Sequence, residues 1–364
     1  MTTVDATTPA AAAPPPPAAL PPPMQLREIV FGAARAASVR AAVRLRIADA
    51  LGEQPASIGE LASAVDVEPD PLRRLLRSLA CCQIFAETAD GHFRHTEMSR
   101  LLREDTPGSL RNIALWCTEP WTWEAWPLLD RAVRGGGCVV NEIYGKDFFT
   151  YLHEDAPESA RVFDAAMTTS SRQSAADVAA FLDLDGVKDV VDIGGGQGHV
   201  LASLLERHPA LQGSLLDLPQ VVANADPRLR DGGPLASRAT LVPGDCRREV
   251  PVEADLYIIK NILEWNDEST RRTLANVVAA ARPGARVVVI ENLVDNSPSS
   301  FTTAMDLFLL LNVGGRKHTE DSMVTRMTEA GLKVTDIRPV NGSLHAFDST
   351  VPATGRRQGV SDGS

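Results

Sequence analysis

Residues 190–199 read Val-Val-Asp-Ile-Gly-Gly-Gly-Gln-Gly-His, an apolar run followed by a glycine-rich turn and the start of a helix. The spacing Asp-x-Gly-x-Gly-x-Gly is met by Asp192, Gly194, Gly196 and Gly198, and glycine lets a backbone approach a ligand closely. The dinucleotide pattern G-x-G-x-x-G fails at His199, and no Lys-Ser or Lys-Thr of a triphosphate-binding loop follows. The turn therefore predicts an adenosine cofactor that has no pyrophosphate.

Carboxylates follow the next two apolar runs. Asp217 comes 23 residues after Gly194, the distance at which an acid that binds ribose hydroxyls is expected. Asp245 follows a third run, where its carboxylate can accept from an adenine amino group. One glycine loop alone suits an ordinary tight turn equally well, but three strand ends with matching chemistry predict S-adenosyl-L-methionine.

The elements that position these residues alternate between strand and helix from about residue 186. Helical stretches at 199–208 and 269–281 separate short apolar runs. This alternation predicts an α/β fold with an open, mostly parallel sheet covered on both faces. The runs are 187–193, 213–216, 240–242, 254–259 and 285–290.

Residues 24–110 follow a winged helix-turn-helix pattern. A helix is predicted over 40–51, a capping box at Ser57 and Glu60, a helix opening at Asp70 or Pro71, and a hairpin over 87–96. This region holds 11 Arg and no Lys against 12 acidic residues, a net charge of −1. DNA recognition needs a basic surplus, so packing and dimerisation are the favoured roles and no nucleic-acid partner is expected.

Composition excludes several other classes. The chain has 364 residues, a net charge of −11 and five cysteines without a CxxC pair, which favours a reduced, cytoplasmic protein without a metal site. Residues 1–23 lack the basic start and unbroken apolar stretch of a secretory signal, and the run 305–313 is too short to span a membrane. Residues 1–23 and 349–364 are predicted to be disordered tails.

Seven motifs together make the chain resemble the plant caffeate-type O-methyltransferase family and its bacterial natural-product relatives. They lie at 144–149, 192–198, 217–219, 244–245, 260, 283–284 and 312–315. The resemblance implies a Rossmann-like catalytic domain over 181–348, preceded by a helical winged-helix dimerisation domain over 24–110. It also implies a helical linker over 111–180 that contributes to the substrate pocket, and a homodimer.

The resemblance also implies roles for individual residues. The cofactor-binding set is Asp192, Gly194, Gly196, Asp217, Leu218, Asp245, Cys246 and Lys260, with Lys260 at the adenine edge. The walls of a pocket for a small, flat, mostly apolar acceptor are Phe148, Phe149, Phe163, Met167, Met305, Phe308 and Asn312.

The catalytic pattern departs from that of the family. Its general-base His is missing from Lys260-Asn-Ile-Leu-Glu-Trp265, so either Glu264 takes the base position or no strong base remains. Glu291 matches one acid that flanks the base, whereas Lys317 stands where the other is expected. His318 is a further candidate base, with a solvated loop residue as the alternative.

Several interpretations stay open from the sequence. Glu264 could instead cap the helix that begins near Asp267. Methylation at oxygen is expected, and methylation at carbon or nitrogen is possible without the His. The alternatives are a relative that binds S-adenosylmethionine but catalyses a reaction without methyl transfer, and a non-catalytic dimeric regulator.

Overall fold

The computed structural model describes residues 20–295 and 299–353, and the chain divides into two units, 1–99 and 100–364. The first unit is helical, with one two-stranded antiparallel hairpin. Its elements are α1 (Pro22–Val30), α2 (Gly32–Arg44), α3 (Ile47–Ala50), α4 (Ile58–Ala64), α5 (Pro69–Cys81), β1 (Phe85–Glu87), β2 (Phe93–His95) and α6 (Glu97–Arg100), which crosses the boundary.

Local signals read from the sequence are found in this unit. Ser57 and Glu60 form the predicted capping box at the start of α4, each side chain accepting from the other's backbone N–H. The apolar stripe of α5 is buried at Leu72, Leu76 and Leu79. The hairpin β1–β2 lies within one or two residues of its predicted position.

Three predicted boundaries are wrong. The helix expected over 40–51 breaks at Arg46, whose φ of +55° is left-handed, and the break lets Ile47 and Leu51 turn into the core. The N-terminal tail was predicted to end at residue 23, but α1 begins at Pro22. The C-terminal tail was predicted from residue 349, but residues 349 and 350 belong to the last strand. Residues 1–19 and 354–364 lie outside the described residues.

The second unit begins with a helical segment and continues into a seven-stranded sheet. Its helical segment contains α7 (Arg111–Trp116), α8 (Pro120–Ala125), a 3₁₀ turn (Trp126–Leu128), α9 (Leu129–Gly135), α10 (Val140–Tyr144), α11 (Phe148–Glu154) and α12 (Pro157–Phe181). The sheet strands are β3 (Asp189–Ile193), β4 (Gln212–Asp217), β5 (Ala239–Pro243), β6 (Leu256–Lys260), β7 (Arg286–Asn292), β8 (Lys333–Pro339) and β9 (Leu344–Thr350). The remaining helices are α13 (His199–Arg207), α14 (Pro219–Val222), a 3₁₀ turn (Ala236–Arg238), α15 (Asp267–Ala280), α16 (Ser300–Val313) and α17 (Glu320–Glu329).

The sheet has the order β5-β4-β3-β6-β7-β9-β8, and its first five strands are parallel. The central strands are buried on both faces, as parallel strands covered by helices must be. In β6, Leu256 and Ile258 pack in the cluster with α12 and α13, while Tyr257 and Ile259 pack in the cluster with α15 and α17. This arrangement confirms the predicted doubly covered sheet.

The antiparallel pair β8–β9 was not anticipated. β8 is mostly exposed and carries charged residues at Lys333, Asp336 and Arg338, so it lacks the apolar run by which the other strands were recognised. Among the described strands it pairs with β9 alone, and it forms the edge of the sheet. Within the described residues, no helix is both long and apolar enough to cross a bilayer.

Candidate active site

The carboxyl ends of β3, β4, β5 and β6 meet at one edge of the sheet, because these strands are parallel. The glycine loop leaves β3 there, and the N–H of Gly194 donates to the carbonyl of Leu216 at 2.7 Å. Gly196 has a φ of +63°, which favours glycine, and its N–H donates to Oδ2 of Asp217 at 2.8 Å. Local backbone geometry therefore ties the loop to the end of the neighbouring strand.

The space beneath the loop is occupied by the carboxylate of Asp192. A Cβ on Gly195 would lie 2.5 Å from that carboxylate, so a residue with a side chain does not fit there. Asp192 is 1% exposed, and no described residue donates to its Oδ2. Burial raises the pKa of Asp192 to about 7, and Asp217 adds to the shift while Lys260 opposes it. A buried carboxylate oxygen without a donor fits a ligand that brings a donor or a positive charge.

Asp217 ends β4 beside the loop. Its two oxygens accept from the N–H groups of Gly196 and Leu218, at 2.8 and 2.7 Å. Burial raises the pKa of Asp217 to about 6, although both backbone donors oppose the shift. The carboxylate is thus fixed in orientation and retains lone pairs for ligand hydroxyls.

The residues after β5 are already engaged with protein groups. Oδ1 of Asp245 accepts from Nε of Arg247, and Oδ2 from Nη2, both at 2.9 Å. The side chain of Cys246 is buried in the core 3.7 Å from Oγ1 of Thr273, and burial raises its pKa to about 11. Cys246 can therefore face a ligand only with its backbone.

Lys260 ends β6 and is half-buried. Burial lowers the pKa of Lys260, while Asp192, Glu291 and Glu264 oppose the shift. Asp192 lies on β3 to one side of β6, and Glu291 lies on β7 to the other. Lys260 therefore lies among acids from both neighbouring strands, and its role at an adenine edge stays a prediction.

Glu264 forms a buried ion pair with Lys317. Nζ of Lys317 donates to Oε2 of Glu264, and the two side chains are 7% and 15% exposed. Burial opposes the charge on Lys317, but Glu264 and Glu291 outweigh it and raise its pKa. The alternative that Glu264 caps the following helix is wrong, because the side chain of Asn266 caps α15 by accepting from the N–H of Ser269.

The peptide groups before and after Glu264 are held from several sides. Oε1 of Glu291 accepts from the N–H of Leu263 at 3.1 Å, and the Leu263 carbonyl accepts from Nε2 of His318 at 2.8 Å. The carbonyl of Glu264 itself accepts from the N–H of Arg316 at 2.9 Å. The backbone that carries Glu264 is therefore rigidly placed.

Glu291 and His318, the other two candidate catalytic residues, form a clamp: both hold the backbone of Leu263, next to Glu264. Burial, with Glu264 nearby, raises the pKa of Glu291. His318 is buried, contrary to the expected solvated loop position, and burial lowers its pKa. Its Nδ1 lies 3.0 Å from Oγ of Ser322, so both ring nitrogens are occupied and none is left to take a proton from an acceptor.

The structure brings the sequence-predicted acceptor residues together in one aromatic cluster. Phe148 and Phe308 are buried in it, and Phe149, Phe163, Met167 and Met305 pack against it. Asn312 lies one turn beyond Phe308 on α16, and its Nδ2 donates to the Phe308 carbonyl at 2.8 Å.

Two members of this cluster were not identified as site residues from the sequence. The rings of Trp116 and Trp121 lie 5.3 and 5.6 Å from that of Phe308. The only signal for them was the density of tryptophan in 116–126. Both indole N–H groups, and the amide oxygen of Asn312, are buried without a partner among the described residues. Such groups are uncommon in a closed core and fit a ligand.

Comparison with known proteins identifies this arrangement. The O-methyltransferase domain model matches residues 126–333, and the O-methyltransferase dimerisation domain model matches residues 27–105. The chain belongs to the O-methyltransferase family. The chain is 35% identical to the mitomycin biosynthesis 6-O-methyltransferase of Streptomyces lavendulae, over 85% of this chain and 88% of the relative.

Two further relatives bear on the chemistry. The crystal structure of a methyltransferase of calicheamicin biosynthesis, solved in its S-adenosylhomocysteine-bound form, has 32% identity and a TM-score of 0.79, over 91% of this chain and 98% of that one. The aclacinomycin 10-hydroxylase of Streptomyces purpurascens is 30% identical, over 86% of this chain and 85% of the relative.

The family uses S-adenosylmethionine, and the residues of this chain fit that cofactor. The space next to Gly196 is open. The carboxylate of Asp217 is held in a position where it can accept from ribose hydroxyls. Oδ2 of Asp192 has no donor among the described residues, so a ligand can supply one. When bound, the cofactor supplies an electrophilic methyl group.

Replacing Asp217 with Asn should weaken cofactor binding roughly 10–100-fold, because hydrogen bonds to a charged group are lost. In the wild type, affinity should fall as pH drops below about 6, where Asp217 becomes protonated, and Asp217→Asn should flatten this dependence. Calorimetric titration with S-adenosylhomocysteine measures both effects. The exposed Asp231→Asn is the matched control, and equal affinity in the two variants would contradict the ribose role.

Proposed function

We propose that this enzyme transfers the methyl group of S-adenosylmethionine to a hydroxyl oxygen of a small, flat aromatic secondary metabolite. The observation that carries the proposal is the chain of buried charges from Asp192 through Lys260 to the Glu264–Lys317 pair. It connects the cofactor edge of the sheet with the region of the aromatic cluster, where the ring of Trp265, next to Glu264, contacts Phe149 with centroids 5.6 Å apart. The family and the named activity of the mitomycin relative support an oxygen acceptor.

The unpartnered polar atoms of the cluster support a more specific acceptor. Two indole N–H groups, of Trp116 and Trp121, need an acceptor oxygen such as a quinone carbonyl or a carboxylate. The amide oxygen of Asn312 needs a hydroxyl or amine. An aromatic compound with both kinds of group satisfies them, and edge-on rings favour a flat molecule.

Positioning is the main contribution of the protein to such a displacement. Much of its rate comes from holding the acceptor oxygen at attack distance from the methyl carbon. The aromatic cluster orients the acceptor ring and excludes water. The clamp on Leu263 fixes the polar pair that meets the acceptor oxygen.

A second candidate function is a reaction that keeps the cofactor but does not transfer its methyl group. The relative named as a hydroxylase favours it. The absence of a His at the base position is compatible with both reactions.

The first experiment incubates the enzyme with methyl-labelled S-adenosylmethionine and hydroxynaphthoquinone acceptors. We expect labelled product and S-adenosylhomocysteine in equal amounts, because each transfer releases one S-adenosylhomocysteine. Consumption of the acceptor with cofactor bound but no S-adenosylhomocysteine formed would support the second function instead. In each case, calorimetric titration with S-adenosylhomocysteine checks that the protein is folded and binds the cofactor.

Removing either unpartnered indole N–H tests the acceptor class. Trp116→Phe and Trp121→Phe should each raise the KM for 5-hydroxy-1,4-naphthoquinone roughly 2–10-fold, because each removes one neutral hydrogen bond to the acceptor. We expect little change in kcat. The KM for 1-naphthol, which lacks the carbonyls, should change less. Trp123→Phe is the control, because that indole N–H already donates to the Thr118 carbonyl at 3.1 Å. Equal effects on both acceptors would show that only ring packing matters.

A homodimer is the assembly that we propose. The dimerisation-domain match supports it, and so do the exposed apolar residues of the first helix and its end, which are Met24, Leu26, Ile29, Val30 and Phe31. Ile29→Asp should shift the protein toward monomer in analytical ultracentrifugation, because it places a charge on that apolar face. Val133→Asp, also at an exposed apolar residue but in the second unit, should leave a dimer. A monomeric wild type would contradict the proposal.

A further inference from the structure

Lys317 is a buried ammonium group that the protein satisfies only in part. An ammonium has three N–H donors. Oε2 of Glu264 accepts one of them, and no other described residue accepts from Nζ. Because the side chain is 7% exposed, water has little access to the remaining two. Donors left over on a buried charge point to a ligand with an acceptor atom.

The position of this ammonium places it near the acceptor cluster. The backbone N–H of Lys317 donates to Oδ1 of Asp306 at 2.6 Å, on the same helix as Phe308 and Asn312. Its partner Glu264 precedes Trp265, which contacts the cluster through Phe149. The backbone of Lys317 thus contacts the helix that carries Phe308 and Asn312, and its partner Glu264 is next to Trp265 at the edge of the cluster.

Acidic and basic groups both face Nζ of Lys317. The groups that face it are Glu264, Glu291, Lys260 and Asp306. Burial raises the pKa of Glu291, and Oδ1 of the half-buried Asp306 accepts from the backbone N–H of Lys317. Among these groups Glu264 is the one that accepts a hydrogen bond from Nζ, and Lys260 faces both Lys317 and Asp192.

We propose that the acceptor binds as its phenolate anion, with the oxygen accepting a hydrogen bond from Nζ of Lys317 while Glu264 holds that ammonium in place. This inference rests on the proposed methyl transfer. The hydroxyl proton leaves to solvent when the anion binds. A lone pair of the phenolate oxygen then forms the bond to the methyl carbon, and the electrons of the sulfur–carbon bond return to sulfur. The negative oxygen and the positive sulfonium neutralise each other, so no general base is needed.

This arrangement gives Lys317 a catalytic role and Glu264 a positioning role. It competes directly with the hypothesis that Glu264 is the base. A carboxylate that already accepts from a buried ammonium is a poor proton acceptor, because protonating it would leave the ammonium without its partner.

The test is a spectroscopic titration of bound 4-nitrophenol and 4-nitrocatechol, whose phenolates absorb visible light. Saturating S-adenosylhomocysteine is present, so no methyl transfer occurs. An adjacent positive charge should lower the pKa of the bound probe by about 1–3 units below its solution value. Lys317→Met should abolish the shift, Lys317→Arg should retain most of it, and the exposed Lys333→Met should not change it.

Further variants separate the two roles and guard against misfolding. The double variant Lys317→Met with Glu264→Gln removes both members of the pair, so it leaves no unpaired buried charge, and it too should lose the shift. Glu264→Gln alone should keep the probe anionic. Bound probes that stay neutral in the wild type, that fail to bind, or that keep their shift in Lys317→Met would overturn the proposal.

The outcomes are distinguishable from those of the methyl-transfer assay. Labelled product together with neutral bound probes would leave the methyltransferase function intact and refute the phenolate. Anionic bound probes without methyl transfer in the assay would refute the proposed function and leave the anion site.

Discussion

The structure depends on bringing ionisable side chains to one edge of a parallel sheet where water has little access. Asp192, Asp217, Lys260 and Glu291 are the last or next-to-last residues of four different strands, and each is forced toward that edge because its strand is buried between helices. Burial disfavours every one of their charges. The groups can remain there only by facing each other, backbone N–H groups or a ligand.

The protein meets this constraint differently on the two sides of β3. Toward β4, backbone donors of the glycine loop hold Asp217, so its carboxylate is oriented without a cation. Toward β6 and β7, two lysines and two glutamates compensate one another. The first solution suits the neutral hydroxyls of a ribose, and the second suits an atom whose charge changes during the reaction.

The histidine that serves as general base in the family is absent here, and the buried charges explain what the site has in its place. In place of one titratable base, the site has a fixed ion pair whose backbone is clamped at Leu263 by Glu291 and His318. A buried ion pair is costly unless its geometry is held, and the clamp holds it. Residues that look like base candidates in the sequence are thereby committed to positioning.

The sequence by itself determined the parallel sheet, the glycine loop and the acids that follow the strands, because apolar runs and glycine spacing are local patterns. It also identified the aromatic residues around Phe308. Only the tertiary structure decided the partner of Glu264, since Lys317 is 53 residues away and reaches it through a loop that follows α16. The burial of His318, the core position of the Cys246 side chain and the unpartnered indoles of Trp116 and Trp121 were likewise settled by packing. Burial and pairing depend on contacts between distant segments, and a single sequence does not encode these in any local pattern.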